Sequence, residues 1–225
     1  MKPKTILIGM PSGSGLIPTT VVQSLLQLHK PYACGFMTVE RQRIDKARNY
    51  IAMEALKQGF DYLLFVDDDN PIPPDTLEKL IEDDKDIVTV PILSRNASPD
   101  GVHKLCSMYA EEVIVDKKPL KLYSPITKFR DEGHLHKVDA TGTGCILIKR
   151  EVLETLFKTY RDDIFEFGDI RFKKKIKVNG VEYDRRTMSE DAEFSERAIA
   201  AGFEIWLDDR IRPLHLTNQG SVQYG

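Results

Sequence analysis

The first hundred residues alternate short apolar runs with stripes of helical spacing. Thr5–Met10 is a β-rich run, and Pro18–Leu28 carries Val21, Val22, Leu25 and Leu26 at the spacing of one helix face. Tyr32–Val39 reads as a second strand. Arg41–Gln58 follows as a long amphipathic helix, with Ile44, Ala47, Ile51 and Ala55 on one stripe and Gly59 as its stop. Tyr62–Val66 is a third strand, Thr76–Ile81 a helix introduced by Pro73-Pro74-Asp75, and Asp86–Pro91 a fourth strand. This order predicts an α/β fold with a mostly parallel central sheet and helices on both faces.

The second half is less regular. Val102–Lys137 mixes short β-like pieces (Leu105–Ala110, Val113–Val115, Leu120–Tyr123) with turns, which predicts a small antiparallel excursion. Ala140-Thr141-Gly142-Thr143-Gly144 leads into a buried strand, Cys145–Ile148, and then a helix from Glu151. Asn179-Gly180 marks a hairpin after the basic run Lys173–Lys177, which reads as a solvated edge able to steer an anionic donor or acceptor. Glu190–Ala201 is a helix stopped by Gly202, and Phe203–Leu207 a last strand. No repeat or interdomain linker interrupts the pattern. The expectation is one domain over 1–225.

Composition narrows the function classes. The chain has 225 residues, 41% hydrophobic and 30% charged, a globular balance. A net charge of −3 argues against a dedicated nucleic-acid binder. No apolar run approaches the roughly 18 residues of a membrane span, which leaves only peripheral membrane contact open. The start, Met1-Lys2-Pro3-Lys4, lacks a signal-peptide core, and three scattered cysteines (Cys34, Cys106, Cys145) suit a reducing cytoplasm. Oligomeric state is not legible.

Candidate chemistry concentrates where the third strand stops at Asp67-Asp68-Asp69. Adjacent carboxylates repel and cannot be buried cheaply without a cation or donors. On an extended chain Asp67 and Asp69 would project to one side as hard oxygen ligands for Mg2+ or Mn2+. Pro11, Glu40 and the triplet all end strands, where open α/β sheets bind ligands, so one crevice should hold them. A second acidic cluster, Ser189-Glu190-Asp191-Ala192-Glu193, is also explained by helix capping and the helix dipole. His215, past the last strand, could add an imidazole ligand, although alone it reads as an ordinary histidine.

Together these features resemble the GT-A-fold glycosyltransferases, particularly family-2-like enzymes using nucleotide-sugar donors. The resemblance rests on Ile6–Pro11, on Ala47-Arg48-Asn49 followed by Tyr62–Asp69 with its D-x-D motif, on Thr141–Gly144, and on Ser189–Phe194 with Gly202-Phe203 and His215. It implies a GT-A fold, residues 1–100 binding the nucleotide sugar and 101–225 binding the acceptor and performing catalysis. It implies Asp69 as metal ligand, Asp67 assisting and His215 completing the Mn2+ or Mg2+ site. Pro11 would lie in the loop that meets the base, Asp68 against the ribose or sugar, Glu40 against the base, and Arg48 within reach of the diphosphate or base. Asp191 would be the general base if the anomeric centre inverts. The donor would be a UDP- or GDP-sugar and the acceptor a sugar, lipid-linked or protein hydroxyl. A mobile cover is expected in Asp184–Ser189 or Thr217–Gly225.

The chain ends ten residues past His215 and lacks the Q-x-x-R-W motif of processive synthases, which favours transfer of a single sugar. Two alternatives share the pattern. A sugar-phosphate nucleotidyltransferase would need basic residues in the glycine-bearing loop, whereas Pro11–Gly15 has none. A catalytically silent nucleotide-sugar binder would tolerate Asp191→Asn.

Overall fold

A computed structural model describes residues 4–98, 101–115, 118–178, 181–217 and 220–223. Its first half follows the predicted alternation: β1 (Thr5–Ser12), α1 (Thr19–Gln27), β2 (Ala33–Glu40), α2 (Ile44–Gln58), β3 (Tyr62–Val66), α3 (Thr76–Glu82) and β4 (Ile87–Thr89). Gly59 ends α2 in the left-handed region (φ 78°), where its N–H meets the Leu56 carbonyl at 3.1 Å. The second half adds β5 (Met108–Val115), β6 (Lys118–Pro125), β7 (Leu135–Val138), β8 (Cys145–Lys149), α4 (Arg150–Tyr160), β9 (Gly168–Val178), β10 (Val181–Met188), α5 (Glu190–Ala200), β11 (Ile205–Asp208), β12 (Leu214–Thr217) and β13 (Gly220–Gln223).

The central sheet has seven strands in the order β2-β1-β3-β8-β4-β11-β7. Strands β1, β2, β3, β4 and β11 run one way, while β8 and β7 run the other. The alternation of side chains along each strand sorts the core into two layers. Leu63 and Phe65 pack with Ala47 and Ile51 of α2, Val152 and Leu156 of α4, and Phe194 and Ala198 of α5. Leu64 and Val66 face the other way, with Val21 of α1 and Leu77 and Leu80 of α3. Helices therefore cover both faces, as the apolar pattern predicts.

Strand β8 is the departure that matters for the site. It enters antiparallel between β3 and β4, pairing Val66 with Cys145 and Thr89 with Ile146. Cys145–Ile148 is buried on both faces, which is what a continuous apolar run needs and a sheet edge cannot supply. Its start, Gly144, is thereby pinned beside the end of β3.

Three small antiparallel pairs flank the sheet: β5–β6, β9–β10 and β12–β13. The first is the predicted excursion. The Asn179-Gly180 turn lies outside the described residues. Of the expected covers, Arg185, Thr187 and Met188 pair with Arg171, Asp169 and Gly168 in β9–β10, and Thr217 pairs with Gly220 in β12–β13. Among the described residues no helix is long and apolar enough to cross a membrane.

An acidic knot joins the end of α3 to β11. Arg210 Nη2 lies 2.8 Å from Asp83 Oδ1 and 2.8 Å from Asp208 Oδ2, while Asp83 Oδ2 is buried without a hydrogen-bond partner. Burial, and then the Asp208 charge, pushes Asp83 up from 3.8 to about 7. A carboxyl whose folded value lies above its unfolded one takes up a proton on folding. Its contribution is therefore fully present below about pH 4 and lost as pH rises through about 7. Asp83→Asn should flatten the fall of the urea midpoint between roughly pH 5 and 8; a slope equal to that of the unmodified protein would refute this.

Candidate functional site

Strand ends β1, β2 and β3 meet as the pattern predicts, but the acidic triplet does not continue the strand. It curls into a turn in which the Asn70 N–H donates to the Asp67 carbonyl at 3.1 Å. The side-by-side projection expected for an extended chain is replaced by a fan, in which each carboxylate meets a different partner. Three like charges so close are separated by the turn and satisfied one by one.

Asp68 turns towards β1, where Ser12 Oγ donates to its Oδ2 at 2.6 Å. Burial, reinforced by Asp69 and Asp67, raises the Asp68 carboxyl above its ordinary value even though the Ser12 bond opposes this. Ser12 lies opposite Glu40 in the parallel register, one residue past the buried Pro11. Gly15 folds the following loop back, donating its N–H to Ser12 Oγ at 3.1 Å, and Glu40 stays exposed beside it. Pro11, Ser12, Glu40 and Asp68 thus share one end of the crevice.

Asp67 turns inward. Arg48 Nη2 donates to both of its oxygens, at 3.0 and 3.1 Å, and Arg48 Nη1 pairs with Glu190 at the start of α5. Arg48 is 3% exposed, so its guanidinium ends in carboxylates and not in the open crevice. Burial opposes its charge, but Asp67, Asp191 and Glu190 outweigh burial and raise it. Burial raises Glu190, with Arg48 pulling the other way. The adjacent Asn49 clamps Phe165 by two hydrogen bonds of 2.7 and 2.9 Å, and Phe165 stacks on Phe194 of α5 at 4.6 Å. Helix α2 therefore sets where the acidic end of α5 sits. Ser189 holds the N-cap position of α5 without a side-chain capping bond.

Asp69 turns to the segment after β4 and to β12. Its Oδ2 lies 3.1 Å from Arg95 Nη2 and 3.4 Å from His215 Nε2. His215 comes from β12, which runs along the turn through Leu216 N–H to Asp69 O (2.8 Å) and Asn70 Nδ2 to Leu214 O (3.2 Å). The other imidazole nitrogen, Nδ1, bonds the Leu93 carbonyl at 2.5 Å. Burial disfavours the charged imidazole, but the bonds to Asp69 and Leu93 prevail and raise His215 above its ordinary value.

The glycines of Thr141–Gly144 allow these parts to converge. The Gly144 carbonyl accepts from the Asp67 N–H at 2.9 Å, and a Cβ on Gly144 would stand 2.4 Å from Asn70 Oδ1, inside the turn. A Cβ on Gly142 would stand 3.6 Å from Asp191 Oδ2 and 3.0 Å from Cys106 Cβ. Asp191, half-buried, lies on this side of the crevice. Burial, then the charges of Asp191, Asp67 and Asp69, pushes the Cys106 thiol up to about 12. That thiol therefore lies within the field of all three acids.

Among the described residues, no group of three or more His, Cys, Asp or Glu is arranged to hold a metal. The Asp69–His215 pair nevertheless suits a divalent cation. With Nδ1–H given to Leu93, loss of the Nε2 proton would free that nitrogen for a cation beside Asp69 Oδ2, so one hard oxygen and one imidazole nitrogen converge. Asp67 is turned to Arg48 instead. Ser12, Arg95 and Cys106 escape sequence reading, because only Ser12 sits at a strand end and the other two arrive through the Leu93–Leu105 bridge and its neighbours.

The sequence model described as glycosyl transferase family 2 matches residues 20–157. No curated protein matches the chain. Among solved structures, A197 from STIV aligns with a TM-score of 0.50 at 15% identity, over 93% of this chain and 84% of that one. S. aureus TarS 1–349 in complex with UDP-GlcNAc aligns at 0.47 and 12% identity, over 99% of this chain and 58% of that one. A CMP-2-keto-3-deoxy-manno-octonic acid synthetase complexed with CTP aligns at 0.45 and 17%, over 92% and 89%.

Arg48→Met would leave Asp67 and Glu190 without their shared cation. The expected loss is about 3–5 kcal/mol of folding stability in urea denaturation. A loss below about 1 kcal/mol would show that water or other donors satisfy both acids.

Proposed function

The chain belongs to glycosyl transferase family 2, and from that premise we propose that it moves one sugar from a UDP- or GDP-sugar to an acceptor hydroxyl, without processivity and with inversion. A Mn2+ or Mg2+ would be held by Asp69 and His215, with Asp67 assisting. The observation that carries this reading is the 3.4 Å approach of His215 Nε2 to Asp69 Oδ2. These groups, positions 69 and 215, lie 146 residues apart in the sequence and meet at the turn after β3. The cation would neutralise charge on the departing nucleoside diphosphate.

The remaining steps belong to the chain's own residues. Glu40, exposed at the end of β2, accepts from the base, and Pro11 offers the base an apolar floor without a competing donor. Asp68, oriented by Ser12 at 2.6 Å, accepts from the ribose or the sugar. Arg48 is a positioning residue, since it holds Asp67 and the start of α5 in place and does not meet the diphosphate itself. Asp191 receives the acceptor's hydroxyl proton as the new oxygen–anomeric carbon bond forms and the bond to the diphosphate breaks. The half contributed by residues 1–100 binds the donor, and 101–225 supplies Asp191, His215 and the acceptor side.

Calorimetry with UDP- and GDP-sugars in the presence of Mn2+ tests the donor and the metal together. Asp69→Ala should abolish metal-dependent donor binding; an unchanged affinity would refute its role. Asp191→Asn should retain donor binding while turnover falls by about 10²–10⁴-fold. Retained turnover would remove Asp191 as base.

A further inference from the structure

Asp69 presents one oxygen, Oδ2, to two nitrogens. His215 Nε2 approaches it at 3.4 Å and Arg95 Nη2 at 3.1 Å. The two are held very differently. His215 is 12% exposed at its side chain and is tied through Nδ1 to Leu93, whose backbone is bridged to Leu105. Arg95 stands two residues further along the same segment with a side chain 62% exposed. Beside it opens a cavity of about 680 Å3, lined by Asn96, Ala97, His103, Thr217, Ser221 and Val222 as well as Arg95 itself. Among the described residues lining it there is no carboxylate.

A divalent cation seated on Asp69 Oδ2 and His215 Nε2 would share the coordination space of Arg95 Nη2. A dication at that distance would repel the guanidinium far more strongly than the imidazole beside it does. Of the two groups at Asp69 Oδ2, Arg95 is the exposed one and lines a cavity into which it can move.

We propose that Arg95 is a built-in counter-ion that takes the cation's place on Asp69 and yields it when the metal binds, its guanidinium moving into the adjoining cavity. The inference rests on the Asp69–His215 reading of the metal site. It pairs Asp69 with a side-chain cation when no metal is bound, and it makes metal affinity a difference between two cations competing for one oxygen. Arg95 is then a positioning residue that sets the metal occupancy of the site.

The test is Mn2+ titration, by calorimetry, of the unmodified chain and of Arg95→Ala, Arg95→Lys and Asp69→Ala. Removing the competitor should tighten Mn2+ binding about five- to tenfold in Arg95→Ala, with Arg95→Lys between the two. Mn2+ should also speed phenylglyoxal modification of Arg95 in the unmodified chain, read by mass spectrometry, because the guanidinium is released. If Asp69→Ala loses Mn2+ while Arg95→Ala binds it no more tightly than the unmodified chain, the counter-ion role falls and the metal site stands. If neither the unmodified chain nor Arg95→Ala binds Mn2+, the metal site falls and this inference with it.

Discussion

One buried guanidinium organises the crevice. Arg48 leaves the middle of α2, lies almost wholly out of solvent, and joins Asp67 at the end of β3 to Glu190 at the start of α5. Without that cation the acids from these two elements would repel across a poorly solvated gap, and the strand end and the helix start could not share one wall. The Asn49–Phe165–Phe194 contacts one residue along α2 fix the same helix sterically. The inner wall is therefore held by a charge and by packing that start from adjacent residues.

The outer wall is built differently. Asp69 meets Arg95 and His215, both nearer to solvent, and its place is set by backbone bonds to β12. The triplet thus has one arm tied to the buried Arg48, one tied to Ser12, and one that meets the exposed Arg95. In the proposed reaction the third arm changes partners while the first keeps its own. Pockets of this kind combine a rigid scaffold with a small number of exchangeable charges.

The insertion of β8 links the two halves of the chain. By running antiparallel between β3 and β4 it carries Thr141–Gly144 beneath the turn, where only glycine at 144 clears Asn70. Residues 140 to 144 then meet α5 on the other side, through the Thr141 N–H to Ser195 Oγ at 3.3 Å. Residues from both halves of the chain consequently meet at one end of the central sheet.

Local patterning determined the elements. Apolar alternation and glycine stops place β1 to β4 and α1 to α5 within a few residues, because burial of one face and chain-reversal chemistry act over neighbouring positions. The same local chemistry marked Pro11, Glu40 and the acidic triplet as strand-end residues, and membership of the family matches the resemblance those motifs carried. Tertiary structure alone decided that β8 would invert, that the triplet would fan, that Arg48 would point inward, and that Arg95 would reach Asp69. Each of these turns on charges or buried surfaces brought together from distant positions, and a one-dimensional pattern of polarity does not encode which acid meets which cation.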